Sequence, residues 1–226
     1  MVYARKLGGT TFNFQVSGRL WRNSLVMQDR ESDTWWSQVT GRAIHGRNRG
    51  AQLQKLESIQ TTWAEWYAAH PDTTLLAKTE GVTSSHYQKY FDNPERMGLF
   101  RAQWLAERMP GKTMVYGATI GPHAVAVTEE GLATGLASAE LGSTPVVVAR
   151  GSDGGVRAFV SRVEGTALAL EADGESIVDQ EGSTWDLDTG RCTAGTNQGA
   201  RLETVAVTPV FWFAWSGFYP NTLVVD

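Results

Sequence analysis

Short runs of alternating apolar and polar residues fill the first part of the chain. Phe12, Phe14 and Val16 alternate with polar neighbours, and the run from Ser24 to Asp29 follows after a short polar break. Alternation with a period of two is typical of a strand with one buried face. Gly8-Gly9 and the glycines near position 46 indicate turns between such strands. The pattern therefore predicts a mainly β (α+β) fold.

The chain repeats this pattern after 149 positions. The stretch from Trp36 to Leu76 aligns without a gap on the stretch from Trp185 to Val225. Such a register predicts an internally duplicated domain of two pseudo-equivalent halves, and a looser match extends it back to about residue 2. The residues of the first copy that meet an identical residue in the second are Trp36, Thr40, Gly41, Arg42, Gly46, Asn48, Gly50, Ala51, Leu53, Trp63, Trp66, Pro71 and Thr73.

Each copy is predicted to end in a strand, a short tryptophan-rich helix and a strand. In the first copy the strand covers Ala51 to Glu57. Thr62 and Glu65 then form a capping-box pattern, which predicts a helix through Ala69 that ends before Pro71. The second copy lacks this pattern.

In the second copy we expect the helix to open at Thr208-Pro209, because proline suits the first helical position. This helix is apolar nearly all round, which predicts a place in the core between the halves. The residues responsible are Phe211, Trp212, Phe213, Trp215, Phe218 and Tyr219.

The segment from Ser84 to Arg108 belongs to neither copy. Its aromatic residues and the break near Asn93-Pro94 predict a partly helical strap or lid packed on the body. We therefore divide the chain into a first repeat (1–77), a connector (78–112) and a second repeat (113–226), within one compact domain. The second repeat begins with lead-in strands that the first lacks, at Met114 to Tyr116, Ala124 to Val127 and Pro145 to Val148.

Charge divides unevenly between the halves. Residues 1–60 hold nine Lys/Arg and four Asp/Glu, whereas residues 113–226 hold five and fourteen. This asymmetry either steers an anionic ligand to the first repeat or holds the two halves together by attraction. The overall net charge of −4 weighs against nucleic acid as a partner.

Composition excludes several classes of protein. The 42% hydrophobic and 19% charged residues are ordinary values for a soluble globular domain, and no apolar run has the roughly 18 residues of a membrane-spanning helix. Cys192 is the only cysteine, which rules out an intramolecular disulfide and favours a packed small residue over a nucleophile. Compartment and oligomeric state stay open.

Several blocks of the first repeat resemble a known family. The blocks are Phe14 to Gly18, Leu25 to Arg30, Trp36 to Gly41, Thr62 to Trp66 and His70 to Thr73. In this order they resemble the bacterial and archaeal family catalogued as domain of unknown function 3179, over most of the chain. Members of that family carry a Cys-Pro-Leu-Cys run before the first block, which has no counterpart here. The resemblance therefore implies no metal or redox role and no established activity.

Differences between the copies indicate where a site lies, because shared residues serve the common scaffold. Asp29, Arg30, Ser37, Gln38, His45 and His70 form a polar set that we expect to line one pocket. Asp29, Ser37 and His45 are the candidate catalytic residues. The candidate ligand-binding residues are Arg30, Trp35, Gln38, Arg49 and His70.

Each candidate also has a purely structural interpretation. Asp29 suits a turn, His70 suits the end of a helix, and His45 suits a solvated turn. No nucleophile-elbow pattern surrounds Ser37, and the four histidines lack the spacing of a metal site. Neither a metal nor a cofactor is expected.

Two functions remain open from the sequence. The first is a module that binds a small polar or anionic ligand, or a partner, through the first repeat. The second is a hydrolase or transferase that uses polar residues of that repeat. Whether the chain is an enzyme is left undecided.

Overall fold

The computed structural model describes residues 1–76, 87–98, 106–174 and 176–226. Over these residues the chain forms 22 mostly short strands and three short helices, so the prediction of a mainly β fold is confirmed. The elements before residue 113 are β1 (Val2–Tyr3), β2 (Lys6–Leu7), β3 (Thr10–Thr11), β4 (Phe14–Trp21), β5 (Ser24–Asp29), β6 (Trp35–Ser37), β7 (Ala43–His45), β8 (Lys55–Leu56), α1 (Trp63–Ala69) and α2 (Gln88–Phe91).

The elements after residue 113 are more numerous. They are β9 (Met114–Ile120), β10 (His123–Thr128), β11 (Leu136–Leu141), β12 (Thr144–Arg150), β13 (Val156–Val160), β14 (Arg162–Val163), β15 (Thr166–Ala167), β16 (Leu170–Asp173), β17 (Ser176–Asp179), β18 (Thr184–Asp186), β19 (Cys192–Ala194), β20 (Glu203–Val205), β21 (Thr208–Phe211), α3 (Trp212–Phe218) and β22 (Leu223–Val225). The predicted lead-in strands fall within β9, β10 and β12 and are confirmed.

Two four-stranded antiparallel meanders have the same layout. The first has the order β4-β5-β6-β7 and the second the order β16-β17-β18-β19. Trp36 on β6 and Trp185 on β18 occupy corresponding central positions, and both side chains are fully buried. Each indole anchors a separate apolar cluster, because the large ring fills the space that a small sheet leaves on its buried face.

The same indole hydrogen bonds recur at corresponding positions of the two stretches. The buried central tryptophan of each meander donates to a buried aspartate, and the second tryptophan of α1 and of α3 donates to a threonine just after the helix. The four bonds are Trp36 Nε1 to Asp29 Oδ2 (2.8 Å), Trp185 Nε1 to Asp179 Oδ2 (3.1 Å), Trp66 Nε1 to Thr73 Oγ1 (3.0 Å) and Trp215 Nε1 to Thr222 Oγ1 (3.2 Å).

Two further sheets form the largest apolar core. Their strand orders are β21-β9-β10-β22 and β11-β12-β13-β20, and every pairing is antiparallel except that of β10 with β22. Buried valines and alanines from β9, β10, β12 and β13 fill this core, with Val125, Val127, Val146 and Val148 fully buried. The strands read as near-continuous apolar runs because both faces are covered.

The helix of the second repeat begins later than the sequence predicted. Thr208 to Phe211 form β21, which pairs with β9, and α3 starts at Trp212. The expectation of a helix opening at Thr208-Pro209 is therefore wrong. β21 is an edge strand, where the missing N–H of Pro209 removes no essential ladder bond.

The predicted burial of α3 is borne out. Residues Trp212 to Gly217 are all buried, and Trp215 lies directly over Gly117 of β9. A Cβ atom at Gly117 would lie 2.4 Å from that indole, so only glycine admits the helix at this distance.

The end of the first repeat follows the prediction only in part. Helix α1 spans Trp63–Ala69 with the predicted capping box between Thr62 and Glu65. The predicted strand from Ala51 to Glu57 is shortened to β8, and residues 70–76 form no strand. β22 of the second repeat pairs with β10, a lead-in strand that the first repeat lacks, which explains the difference.

The connector is described only in part, since residues 77–86 and 99–105, including His86, lie outside the described residues. Within it, α2 covers Gln88–Phe91. Ala106 accepts a 2.7 Å hydrogen bond from Trp212 Nε1, and Arg108 donates to the carbonyl oxygens of Pro220 and Thr222, each at 2.9 Å. The described end of the connector is thus fastened to α3 and the residues after it.

Candidate functional site

Asp29 is buried under the first meander, and both of its carboxylate oxygens accept hydrogen bonds from residues of that meander. Its Oδ1 accepts hydrogen bonds from the backbone and the hydroxyl of Ser32 at 2.6 and 2.7 Å, and its Oδ2 accepts from Trp36. Asp179 holds the corresponding place in the second meander. Burial alone would raise the pKa of Asp179, but hydrogen bonds led by the Ser183 backbone outweigh burial and hold it below the ordinary value. This geometry supports the structural interpretation of both aspartates.

Ser37 is the last residue of β6, and Gln38 begins the turn that follows. The Ser37 side chain is buried, and its hydroxyl accepts a 3.2 Å hydrogen bond from the Thr40 backbone. Gln38 Oε1 lies 3.5 Å from the Ser24 hydroxyl. The Ser37 side chain closes a local turn, the Gln38 side chain contacts β5, and Ser37 has no described contact with a histidine that would activate it.

His45 and Trp35 form a stack on the meander. Their rings pair across β6 and β7 with centroids 4.6 Å apart, and the guanidinium of Arg19 lies 4.2 Å from the Trp35 ring centroid. Trp36, next to Trp35 in the strand, points to the opposite face together with its partner Asp29. Asp29 and His45 are therefore on opposite faces of the same sheet.

The remaining candidates lie on the surface. Arg30, Arg49 and His70 are exposed, and the His70 ring packs on Trp66 with centroids 4.1 Å apart. Tyr219 packs on Trp215 in the same way at 4.2 Å, so position 70 is a slot for a ring in both copies. The predicted set is thus spread over two sheet faces and a helix end, and is not gathered in one pocket.

A cavity of about 510 Å³ lies instead between the two repeats. The first repeat lines it with Trp21, Arg22, Thr40, Arg42, Gln52 and Lys55. The second repeat adds Thr119, Gly121, Phe218 and Tyr219. Its volume is within the range of sites for small molecules. None of the eight candidate residues chosen from the sequence is among these lining residues.

Arg22 reaches the cavity from an unusual backbone position. Arg22 and Asn23 form the two-residue turn between β4 and β5, with φ of 48° and 63°. Positive φ at both positions is the geometry of a type I′ hairpin turn, although arginine is rarely found there. The turn carries Arg22 to the end of α3, where it donates a 2.6 Å hydrogen bond to the Gly217 carbonyl oxygen.

Arg42 and Lys55 are placed by backbone pairing. Arg42 forms an antiparallel bridge with Gln52, and Lys55 on β8 pairs with Tyr3 on β1. Tyr3 supports the wall of the cavity, since its hydroxyl contacts the carbonyl oxygens of Gln38 and Val39 at 2.8 and 2.9 Å. Burial, and after it the Tyr219 phenol, raises the pKa of Tyr3, so the Tyr3 phenol is neutral at physiological pH.

The cavity is positively charged. Arg22, Arg42 and Lys55 line it, and no aspartate or glutamate is among its described lining residues. Burial lowers the pKa of Lys55 to about 8, and the described partner of its amino group is the hydroxyl of Thr208. Burial and the charge of Lys55 also lower the pKa of the Met1 amino group. An anion is the species that would relieve this repulsion.

A second cavity of about 430 Å³ shares Phe218 and Tyr219 with the first. It is lined by His123, Glu140 and Asn221 among others. Because it carries a carboxylate and no arginine or lysine, it lacks the charge of the cavity between the repeats.

Neither a cluster of metal-ligating side chains nor a membrane-spanning helix occurs among the described residues. No group of three or more His, Cys, Asp or Glu side chains lies close enough there to hold a metal ion. Cys192 is buried in the apolar cluster around Trp185, and burial raises the pKa of its thiol, as expected of a packed residue. No described helix has the length and apolar character needed to cross a bilayer.

Sequence reasoning missed the basic residues of the cavity. Arg42 was set aside because Arg191 is its identical counterpart in the second copy. Lys55 aligns with Thr204, which is a difference of the informative kind. The difference between Lys55 and Thr204 could therefore have identified Lys55 as a candidate. Arg22 could not be identified in this way, because it lies on a separate hairpin outside the stretch that aligns without a gap.

One family model matches the chain. It is described as Protein of unknown function (DUF3179), and the match covers residues 1–222. Neither a curated protein nor a solved structure matches the chain.

Proposed function

Since the chain belongs to the family of proteins of unknown function DUF3179, whose description carries no activity, we propose its function from the cavity between the repeats. The chain binds a small anionic molecule there. Arg22, Arg42 and Lys55 provide the positive charge, and Trp21 and Phe218 provide apolar and aromatic surface. Guanidinium groups suit carboxylate and phosphate because their N–H groups match two oxygens at once.

The convergence of Arg42 and Lys55 on a cavity that has no acid among its described lining residues carries this proposal. A buried ammonium group costs free energy unless a partner of opposite charge compensates it. Lys55 is largely buried, and its described partner, Thr208, is neutral. A bound anion supplies the missing compensation.

The alternative use of the charge asymmetry, attraction between the halves, has less support. The described ion pairs are Arg150–Glu129, Arg157–Asp153 and Arg157–Asp188, and each joins two residues of the second repeat. None of these described ion pairs therefore joins a basic residue of the first repeat to an acid of the second.

The enzymatic alternative has no observation in its favour. Asp29 is saturated by turn hydrogen bonds, Ser37 is buried in a turn, and His45 is on the other face of the sheet from Asp29. A hydrolase or transferase needs such groups within hydrogen-bond reach of one another. The proposal is therefore limited to binding.

We also propose that the chain arose by internal duplication and works as one unit. The recurring indole hydrogen bonds and the matching strand orders support the duplication. Contacts between the repeats support the single unit: Lys55 meets Thr208, and Arg22 meets Gly217. The cavity needs both repeats, so the divisions at residues 77 and 112 separate parts of one binding unit.

Thermal unfolding in the presence of small anions tests the proposed function. Phosphate, citrate and malonate are compared with glycerol and glucose at constant ionic strength. We expect at least one anion to raise the melting temperature by roughly 5 °C near saturation, because ligand bound only to the native state stabilises it. Arg42→Ala is expected to abolish most of this rise.

Arg191→Ala is the matched control, because Arg191 occupies the equivalent position of the second copy and does not line the cavity. Arg191→Ala should show the same anion-induced rise in melting temperature as the wild type. Equal responses of the two variants, or no response of the wild type to any anion, would contradict the proposed site.

A further inference from the structure

Lys55 differs from the other described lysines in its surroundings. Lys55 lines the 510 Å³ cavity, and its amino group contacts the hydroxyl of the fully buried Thr208. Lys6 and Lys89 are exposed on the surface, and the partly buried Lys112 donates to the carbonyl oxygens of Tyr90 and Asn93. Lys55 is therefore an amine held inside a cavity without a described carboxylate beside it.

These surroundings favour the reactive form of a lysine. An amine attacks a carbonyl group only when it is unprotonated, and burial without an acid partner favours that form. The charged groups facing Lys55 are cationic: Arg22 and Arg42 line the same cavity, and the Met1 amino group lies close enough for Lys55 to lower its pKa. With the pKa of Lys55 at about 8, the free-amine fraction at neutral pH is on the order of 100-fold higher than for an exposed lysine.

The two arginines determine which carbonyl compound fits. An anionic group on the compound binds to Arg42 and Arg22, and its carbonyl carbon then lies in the cavity that Lys55 also lines. Thr208 and Tyr219 offer hydroxyl groups at the same site, and the Tyr219 phenol stays protonated because burial raises its pKa. Binding thus holds the two reacting groups in the same enclosed space.

We propose that Lys55 forms an imine with an aldehyde or ketone that also carries a carboxylate or phosphate group. The proposal rests on the anion binding proposed above. The Lys55 nitrogen adds to the carbonyl carbon to give a carbinolamine. The C–O bond then breaks, the oxygen leaves as water with two protons from the nitrogen and solvent, and a C=N bond remains. No oxidant, reductant or further reactant takes part.

Reductive trapping with glyoxylate, an anionic aldehyde, tests the inference. The full chain is incubated with glyoxylate and cyanoborohydride at pH 7, and adducts are located by peptide mass spectrometry. We expect Lys55 to be modified at least about tenfold faster than the exposed Lys6 and Lys89, in line with its larger free-amine fraction. Arg42→Ala should remove most of this preference.

Two controls separate this inference from the anion-binding proposal. Lys55→Arg should lose the trapped adduct at position 55, which assigns the adduct to this amine; anion binding is judged separately, from the stabilisation of the wild type and its loss in Arg42→Ala. Acetaldehyde, which has no anionic group, should show a smaller preference for Lys55 than glyoxylate shows.

The outcomes are distinct. If anions stabilise the chain through Arg42 but glyoxylate labels Lys55 no faster than Lys6, the imine proposal is overturned and anion binding stands. If Lys55 is labelled equally fast by acetaldehyde and glyoxylate and no anion stabilises the chain, both proposals are overturned. Preferential labelling by glyoxylate that depends on Arg42 supports both.

Discussion

Single residues of the two repeats share a scaffold role where they are identical. Asp29 and Asp179 each accept a hydrogen bond from the indole of the meander tryptophan and others from the following turn. The sequence predicted this hydrogen-bonding role, because an aspartate recurs at similar places in the two stretches that resemble each other. It could not identify the site, because Arg22, Arg42 and Lys55 are brought together only by the packing of separate hairpins and strands.

At the residue scale, Lys55 predicts a pH dependence of stability. Its pKa is about 8 in the folded chain and about 10.5 in an exposed lysine, so the unfolded chain binds more protons between these values. The free energy of unfolding should therefore rise with pH through this window, by up to about 2 kcal/mol between about pH 7.5 and 9.5. Below about pH 7 the contribution is constant, because Lys55 is protonated in both states.

Urea unfolding of wild type and Lys55→Met measures this contribution. The three tyrosines with raised pKa values, Tyr3, Tyr116 and Tyr219, are present in both proteins, so the difference between the two pH profiles reports Lys55 together with its effect on the Met1 amino group. Parallel profiles over the whole range would mean that the Lys55 amine is not buried in the way described.

At the element scale, the sequence predicted the helix start that depends on neighbouring residues and misplaced the one that depends on contacts with a distant strand. The capping box of Thr62 and Glu65 specified the start of α1 because its two hydrogen bonds lie within one turn. The start of α3 was misplaced because Thr208 and Pro209 are held in a strand by β9, almost a hundred residues earlier in the chain. A propensity for the first helical position does not outweigh a place in a sheet.

The two tryptophan-rich helices also differ in burial, which gives an element-scale prediction. Trp212 is fully buried and donates a hydrogen bond to Ala106, whereas its counterpart Trp63 is 47% exposed and packs on Tyr67. Trp212→Ala should lower the free energy of unfolding by about 4 kcal/mol, since it leaves a large cavity. Trp63→Ala should cost about 1 kcal/mol or less.

Urea denaturation of both variants checks this difference. Trp63→Ala is a matched control for Trp212→Ala, because the two tryptophans lie 149 positions apart and meet each other in the alignment of the two stretches. Similar losses in the two variants would mean that α1 is as well packed as α3.

At the scale of the whole molecule, the two repeats are joined by contacts that neither could make alone. Arg22 reaches the end of α3, Lys55 reaches Thr208, and Thr61 donates to the Asp153 carbonyl oxygen. The repeat in the sequence predicted two similar halves. It did not predict that a cavity lies where they meet, because the alignment compares the halves and carries no information about their docking.

These contacts predict a single cooperative unfolding transition. Asp29→Ala weakens the first meander and Asp179→Ala the second, each by about 3 kcal/mol, because a buried indole N–H loses its acceptor. If the repeats unfold together, each variant lowers the one midpoint of urea unfolding, followed by circular dichroism and by tryptophan fluorescence. Two separate transitions, with only one displaced in each variant, would show that the repeats unfold independently. Because the cavity is lined by both repeats, it would be lost when the first of them unfolds, and anion binding would fail at the first transition.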